Sequence, residues 1–338
     1  MAVGLKHRRA AAPIITVAAL AGFCMAGTPA QATEGGASIY LLGSGGADAA
    51  VQPPVEGVYI DSTYYVYDGS VDADKNLVVG GKVAAGLKST IVAQFVTLLW
   101  VPSTNFLGGT LALGPALPVA APMVNADISV TGPLGNSISR TVRDSTLTVG
   151  DPLMNASLGW TWDKLHLTAS GFVNIPVGHY REDQLANISF HRWAGDASLA
   201  ASWHDTQSGW DVSAKAGVTF NGNNDYTDYN SGNNFHLEGA VEKTFSPKFS
   251  AGVQGYWYKQ ISADTGAGAK LGSFEGEVAA LGGTLAYNTV LGRSPTTFRL
   301  RVLQEFDAKR RQEGTVAMFS VTVPLKMNLP PQAEQPAQ

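Results

Sequence analysis

Between residues 153 and 176 the chain alternates. Met154, Ala156, Leu158, Trp160 and Trp162 fall on one side of an extended backbone, with Asn155, Ser157, Gly159 and Thr161 on the other. After Asp163-Lys164 the rhythm resumes, and Leu165, Leu167, Ala169, Val173 and Ile175 oppose His166, Thr168, Ser170 and Asn174. Strand side chains alternate between faces with period two, so this is an amphipathic hairpin with a two-residue turn. Such a hairpin can serve a soluble sandwich or the wall of a membrane barrel, and the rest of the chain decides between them.

Lys6, Arg8 and Arg9 precede residues 10–26, which carry no charge, and Ala30-Gln31-Ala32 supplies small residues at the spacing signal peptidase needs. These are the parts of a secretory signal, with cleavage expected after Ala32. Phe23 precedes Cys24, the only cysteine, where a lipobox needs a small residue. The mature chain of 338 − 32 = 306 residues therefore has no disulfide to hold it. Removing three basic residues moves the formal charge from −4 to −7, and no basic stripe remains to bind nucleic acid. The longest uncharged apolar run, residues 108–123, contains Pro115, Pro118 and Pro122 and would break as a helix. Export without disulfides or spanning helices fits a strand-built outer-membrane protein.

Period-two stretches recur at residues 57–67, 89–100, 109–119, 153–162, 165–175, 191–203, 210–220, 235–245, 249–261, 277–287, 297–306 and 315–324. Each is close to the roughly ten residues that a tilted strand needs to cross a bilayer. The prolines of 109–119 fit only at strand ends and bulges. Residues 77–83 could add a short strand, Pro102-Ser103-Thr104-Asn105 reads as a turn, and 120–150 as a long connection. Connections after even strands are short and those after odd strands longer or more polar. The fold class is all-β: an antiparallel transmembrane β-barrel of twelve strands with its short turns in the periplasm. Trp100, Trp160, Trp162, Trp203 and Trp210 all fall beside those short turns, as an interfacial aromatic girdle requires.

The organisation expected is a signal peptide (1–32), an irregular segment (33–54), the barrel (55–325) and a Pro/Gln-rich tail (326–338). Gly35, Gly36, Gly43, Gly45 and Gly46 would let the irregular segment fold compactly as a plug, since irregular backbone at membrane depth is tolerated inside protein. A periplasmic leader is the alternative. With apolar faces toward lipid, the inward set includes His166, Asp196, Asp211, Lys215, His236, Glu238, Glu242, Arg299, Arg301 and Glu305, with Phe172, Tyr256 and Tyr258 as stacking surface. Charges toward lipid are costly and charges toward a lumen are tolerated. They either pair across a filled interior or rim a conduit. No serine sits in a nucleophile elbow, the histidines show no metal spacing, and residues 221–232 read as a polar outer loop. No catalytic residue, metal or cofactor is expected.

Several landmarks carry a family resemblance: the run Thr33-Glu34-Gly35-Gly36-Ala37-Ser38, Pro53-Pro54 ahead of Tyr59, Gly150-Asp151-Pro152, Ser208-Gly209-Trp210-Asp211, residues 221–224 with Asp228-Tyr229 and Ser231-Gly232, and Gly255-Tyr256 through Gln260. The chain resembles the family of outer-membrane transporters linked to the meta-cleavage pathway of phenol degradation. The resemblance covers nearly the whole mature chain and is strongest over residues 150–325. It implies a monomeric barrel, distantly similar to long-chain fatty acid transporters, that sits in outer-membrane lipid and carries small hydrophobic or aromatic compounds. Assembly machinery is a further implied partner, although the chain departs from the usual pattern by following Val323-Pro324-Leu325 with a polar tail instead of ending on an aromatic. Two other readings stay open: a structural or adhesive barrel with a filled lumen, and a lipid-modifying enzyme built around His166.

Overall fold

A computed structural model describes residues 37–71, 76–79, 82–131, 137–181, 186–269 and 275–328. The signal segment, Gly35, Gly36 and the tail beyond residue 328 lie outside the described residues. Among the described residues, twelve long strands form one antiparallel ring: β1 (Gly57–Ser70), β2 (Lys82–Phe106), β3 (Gly109–Thr131), β4 (Leu153–Trp162), β5 (Leu165–Asn174) and β6 (Ala194–Asp205), then β7 (Trp210–Asn221), β8 (Asn234–Ser246), β9 (Phe249–Gln260), β10 (Glu277–Leu291), β11 (Ser294–Lys309) and β12 (Glu313–Met327). β1 pairs with β2 on one side and β12 on the other, so the sheet closes on itself. Closure matters because hydrocarbon offers no partner to a free strand edge.

The hairpin of residues 153–176 has the expected register. Leu153 faces Asn174, Trp162 faces Leu165, and Asp163-Lys164 makes the turn with Asp163 at φ 53°. Met154, Trp162, Leu165 and Val173 are exposed, whereas Ser157 and Thr168 turn inward and bond to chain inside the ring. Alternation continues around the wall, where Leu199, Val212, Leu237, Val253, Leu281 and Val302 all stand exposed. A continuous apolar belt of this extent would drive aggregation in water and is the lipid face of a membrane barrel. Leu199 lies midway along β6 and is 70% exposed between buried Ser198 and Ala200. Leu199→Arg is expected to cost about 2–4 kcal/mol in folding into bilayers, and Trp203→Arg, nearer the membrane edge, about 1 kcal/mol or less. Urea titration in lipid vesicles would compare them.

Several element boundaries differ from the sequence expectation. β2 runs 25 residues and β3 runs 23, well beyond a bilayer crossing. Residues 102–105 lie inside β2, and the turn is Leu107-Gly108, both at positive φ (50° and 76°) as a two-residue hairpin turn of type I′ demands. Residues 120–150 are no irregular connection: β3 continues to Thr131 and the chain returns through the ribbons Ser137–Ser145 and Thr148–Val149. Two prolines of β3 sit where pairing along its β4-side edge lapses, while the ladder to β2 continues through both. Pro118 lies between the last β4 partner at Ala116 and the bridge at Val119, and Pro122 lies between Ala120 and Met123. There no ladder donor is missed. β6 begins at Ala194, so residues 191–193 belong to a loop, and the connection after β11 is only residues 310–312. Two-residue turns join β2–β3, β4–β5, β8–β9 and β10–β11, so this end faces the periplasm, as in bacterial barrels generally.

Inside the ring the packing is graded. Toward the long-loop end Tyr67, Tyr256, Tyr258, Val278, Leu303, Val316 and Met318 enclose Tyr40 and Leu42 from the segment preceding β1. Toward the short-turn end the inward side chains are charged or hydroxylated, among them Ser202, Asp211, Glu242 and Arg299.

Candidate functional site: a lumen segment beneath an aromatic cavity

Residues 37–56 run along the lumen from the long-loop end to the start of β1. The contacts give the path. Glu238 of β8, fully buried, accepts the N–H groups of Gly43 (3.1 Å) and Gly45 (2.8 Å), while Gln254 of β9 donates to the Gly43 carbonyl (2.6 Å). Lower down, the Asp48 N–H donates to Asp211 (3.1 Å) and the Ala50 N–H to Ser202 (3.0 Å), and Thr168 donates to the Ala50 carbonyl (2.9 Å). Gln52 then meets Thr168 and Ser157, both at 3.3 Å. The segment makes backbone hydrogen bonds of its own at its turns, Ser44 N–H to the Leu41 carbonyl (3.1 Å) and Val51 N–H to the Asp48 carbonyl (2.9 Å), and barrel side chains supply partners to other groups of its irregular backbone. Two glycines are required by geometry. Gly43 adopts φ 89°, and a Cβ on Gly46 would lie 2.0 Å from Gln254 Oε1.

An ionic cluster fastens the lower part. Arg299 bonds to both Glu242 oxygens and to Asp48 Oδ2 (2.9 Å), and His204 Nδ1 lies 3.2 Å from Asp48 Oδ1 and from Asp211 Oδ2. Desolvation works against the Asp48 carboxylate, but the hydrogen bond from His204 and the charge of Arg299 hold it below the usual carboxylate range. The donor atoms of Asp48, His204 and Asp211 lie within 4.8 Å of one another, close enough to share a cation, although Arg299 already brings positive charge to Asp48. Sequence spacing could not show this grouping because Asp48 joins it across the lumen. The His204–Asp211 half is legible as directly opposed residues of the β6–β7 hairpin.

Above the segment lies a cavity of about 170 Å³. Its wall includes Tyr65, Tyr67, Phe95, Ile91, Tyr256 and Phe190, with residues 37–42 as its floor, and Glu305 and Arg311 supply charge. Tyr65 and Phe95 meet edge to face at 6.1 Å. Tyr40 stacks on His236 at 3.5 Å with 14° between the rings, and Lys215 Nζ stands over the Tyr40 ring, 4.9 Å from its centroid. Burial and the nearby Glu238 push the Tyr40 phenol well above its usual range, so it remains neutral.

The structure places the sequence-derived candidates as follows. Asp196, Asp211, His236, Glu238, Glu242, Tyr256, Tyr258, Arg299 and Glu305 are buried inside the ring, and His166, Phe172, Lys215 and Arg301 are partly buried on the same side. Glu238 and Gln254 hold the segment, Arg299 and Glu242 pair below it, and Glu305 and Tyr256 reach the cavity. Arg301 stands apart, donating to Ser320 at 3.2 Å, and His166 bonds only sideways to Thr161 at 2.9 Å. Trp100, Trp162, Trp203 and Trp210 are exposed toward the short-turn end, and Trp160 donates to the Leu107 carbonyl of the turn (3.1 Å). Of the glycines, Gly43, Gly45 and Gly46 touch Glu238 or Gln254. Tyr65, Tyr67 and Arg311 escaped the sequence reading. The two tyrosines share one face of an aromatic strand whose inward side alternation alone did not fix, and Arg311 lies in a turn. A Ser198–His236–Asp196 grouping is present, yet Ser198 (3.5 Å) and Asp196 (3.0 Å) both address His236 Nε2. A triad needs its nucleophile and its acid on opposite ring nitrogens, so this is a polar anchor.

A closed twelve-strand ring with a lipid-facing belt and a polar interior defines an outer-membrane β-barrel. The chain belongs to the family described as "Putative MetA-pathway of phenol degradation", whose model matches residues 73–321. Among solved structures it is similar to the COG4313 outer membrane channel from Pseudomonas putida F1, at 16% identity and TM-score 0.60, covering 80% of this chain and 96% of that one. The CymD monoaromatic hydrocarbon channel aligns at 10% identity and TM-score 0.37, covering 84% and 94%. The translocator domain of the autotransporter NalP from Neisseria meningitidis aligns at 9% identity and TM-score 0.41, covering 82% and 91%. No curated protein matches the sequence.

Proposed function

We propose that this outer-membrane barrel carries small aromatic or hydrophobic compounds, which dock in the cavity under the outer loops above a plug formed by the segment ahead of β1. The observation that carries the reading is the cavity itself. At about 170 Å³ it matches a single aromatic ring, since an apolar cavity of about 150 Å³ suffices to bind benzene. Its walls are mostly aromatic and aliphatic, with a smaller set of polar groups that includes Asp151, Asn174, Glu305 and Arg311, the usual composition of a small-molecule site. Pro118 borders the cavity just beyond the last β3–β4 pair at Ala116, which makes this seam the candidate side exit for an apolar cargo, in addition to the lumen. The barrel closes within one chain, which supports a monomer.

Uptake of a radiolabelled monocyclic aromatic into proteoliposomes tests the reading. Tyr65→Ala removes a ring from the wall and its edge contact with Phe95, and is expected to weaken aromatic binding about tenfold. A barrel that works only through its outer loops would neither bind the probe nor respond to this substitution.

A further inference from the structure

Arg311, in the turn between β11 and β12, borders the cavity in an unusual electrostatic position. Its Nε and Nη1 atoms are buried and have no hydrogen-bond partner. Its guanidinium carbon lies over the Tyr258 ring, 4.4 Å from the centroid. The two carboxylates that border the same cavity are already engaged. Glu305 accepts from Tyr256 (2.7 Å), Tyr67 (2.9 Å) and the Gly314 N–H (2.9 Å). Asp151 accepts from Ser189 (2.7 Å), Asn174 (3.2 Å) and the N–H groups of Gly178, Phe190 and His191. Neither carboxylate stands in direct contact with the guanidinium. Unpaired donors on a buried cation are costly, and those of Arg311 border a cavity, where a ligand can satisfy them.

We propose that the cavity selects aromatic acids, with the ring held among Tyr65, Phe95 and Tyr256 and the carboxylate recognised by Arg311. The assignment rests on the aromatic cavity of the proposed function and adds the polar group that the cargo must carry. A carboxylate has two oxygens and a charge opposite to that of Arg311, and guanidinium–carboxylate hydrogen bonds are among the strongest available. An aromatic hydrocarbon would leave both nitrogens unpaired, and a neutral alcohol brings one acceptor oxygen and no charge.

The test is calorimetric binding of benzoate, benzyl alcohol and ethylbenzene to the full-length protein in nanodiscs. The wild type is expected to bind benzoate about 10- to 100-fold more tightly than benzyl alcohol. Arg311→Met should abolish that preference by weakening benzoate far more than benzyl alcohol, and Arg311→Lys should keep part of it. Arg310→Met, on the neighbouring exposed position, should leave the preference intact. Equal wild-type affinity for benzoate and benzyl alcohol overturns the assignment without need of any variant, and so does a preference that survives in Arg311→Met. If none of the three probes binds, the cavity reading itself fails. Binding of the two neutral probes without a preference for benzoate removes only the role given to Arg311.

Discussion

Replacing Arg299 with methionine is expected to destabilise the barrel by about 3–5 kcal/mol, the largest effect of any single polar substitution in the lumen. Arg299 is 9% exposed and Glu242 only 5%. The guanidinium also bonds to Thr284 (3.0 Å) and to Asp48, which the segment brings across the lumen. Removing it strands the Glu242 carboxylate and leaves Asp48 to His204 alone, and the price of an unpaired buried charge exceeds what the pair contributes when intact. Combining Arg299→Met with Glu242→Gln should therefore recover at least half of it, because the uncompensated charge disappears with its partner. Arg301→Met serves as the comparison. Its side chain has one hydrogen bond, to Ser320, and should cost about 1 kcal/mol. Urea unfolding in lipid vesicles, followed by tryptophan fluorescence, would measure all three. A loss at Arg299 no larger than at Arg301 would remove the ionic cluster as a structural fastener.

The cluster also marks where sequence reasoning reached its limit. Period-two alternation assigned inward and outward faces along β4 to β12, because each strand there is a single crossing with one face in lipid. It therefore put Asp211, Glu242 and Arg299 on one side of the wall, and the β6–β7 register sets His204 directly opposite Asp211. It could not supply Asp48, which reaches the cluster from a segment without period. β2 and β3 failed for another reason. Their outer halves leave the barrel and pair with each other and with short ribbons, so the alternation there reports no membrane. The prolines of β3 looked like breakers because the lapse in its ladder is a property of the neighbouring strand. Arg311 was invisible for a third reason: a turn residue has no face until the turn is folded. Composition pointed to irregular backbone over residues 33–54, and the described part, 37–54, holds no strand or helix; Gly43 there needs its positive φ, and a Cβ on Gly46 would push into the Gln254 amide.

Release of the lumen segment is the second large effect, and Glu238 controls it. Glu238→Gln keeps the shape of the side chain but leaves one oxygen where two accepted N–H groups from Gly43 and Gly45, and it turns an amide NH₂ toward the other donor. Losing one charge-assisted hydrogen bond, and meeting donor with donor at the second, should shift the segment roughly 10- to 100-fold toward the released state. Gly46→Ala should act in the same direction by a different route, since its Cβ would displace the Gln254 amide that holds the Gly43 carbonyl. In planar bilayers both variants should show opening bursts that the wild type rarely shows, and deletion of residues 37–52 should give a steadily conducting pore. Deletion also removes Asp48 from the Arg299 cluster, so the truncated barrel should be less stable in urea as well as more conductive. The two readouts separate two roles. If deletion lowers stability and leaves conductance unchanged, the segment is filling, and the inward side chains form a packed interior with the cavity reached only from outside or through the β3–β4 seam. If conductance rises while aromatic uptake falls, the segment is a plug that also provides the cavity floor at Tyr40 and Leu42, and the same residues that block ions hold the cargo in place.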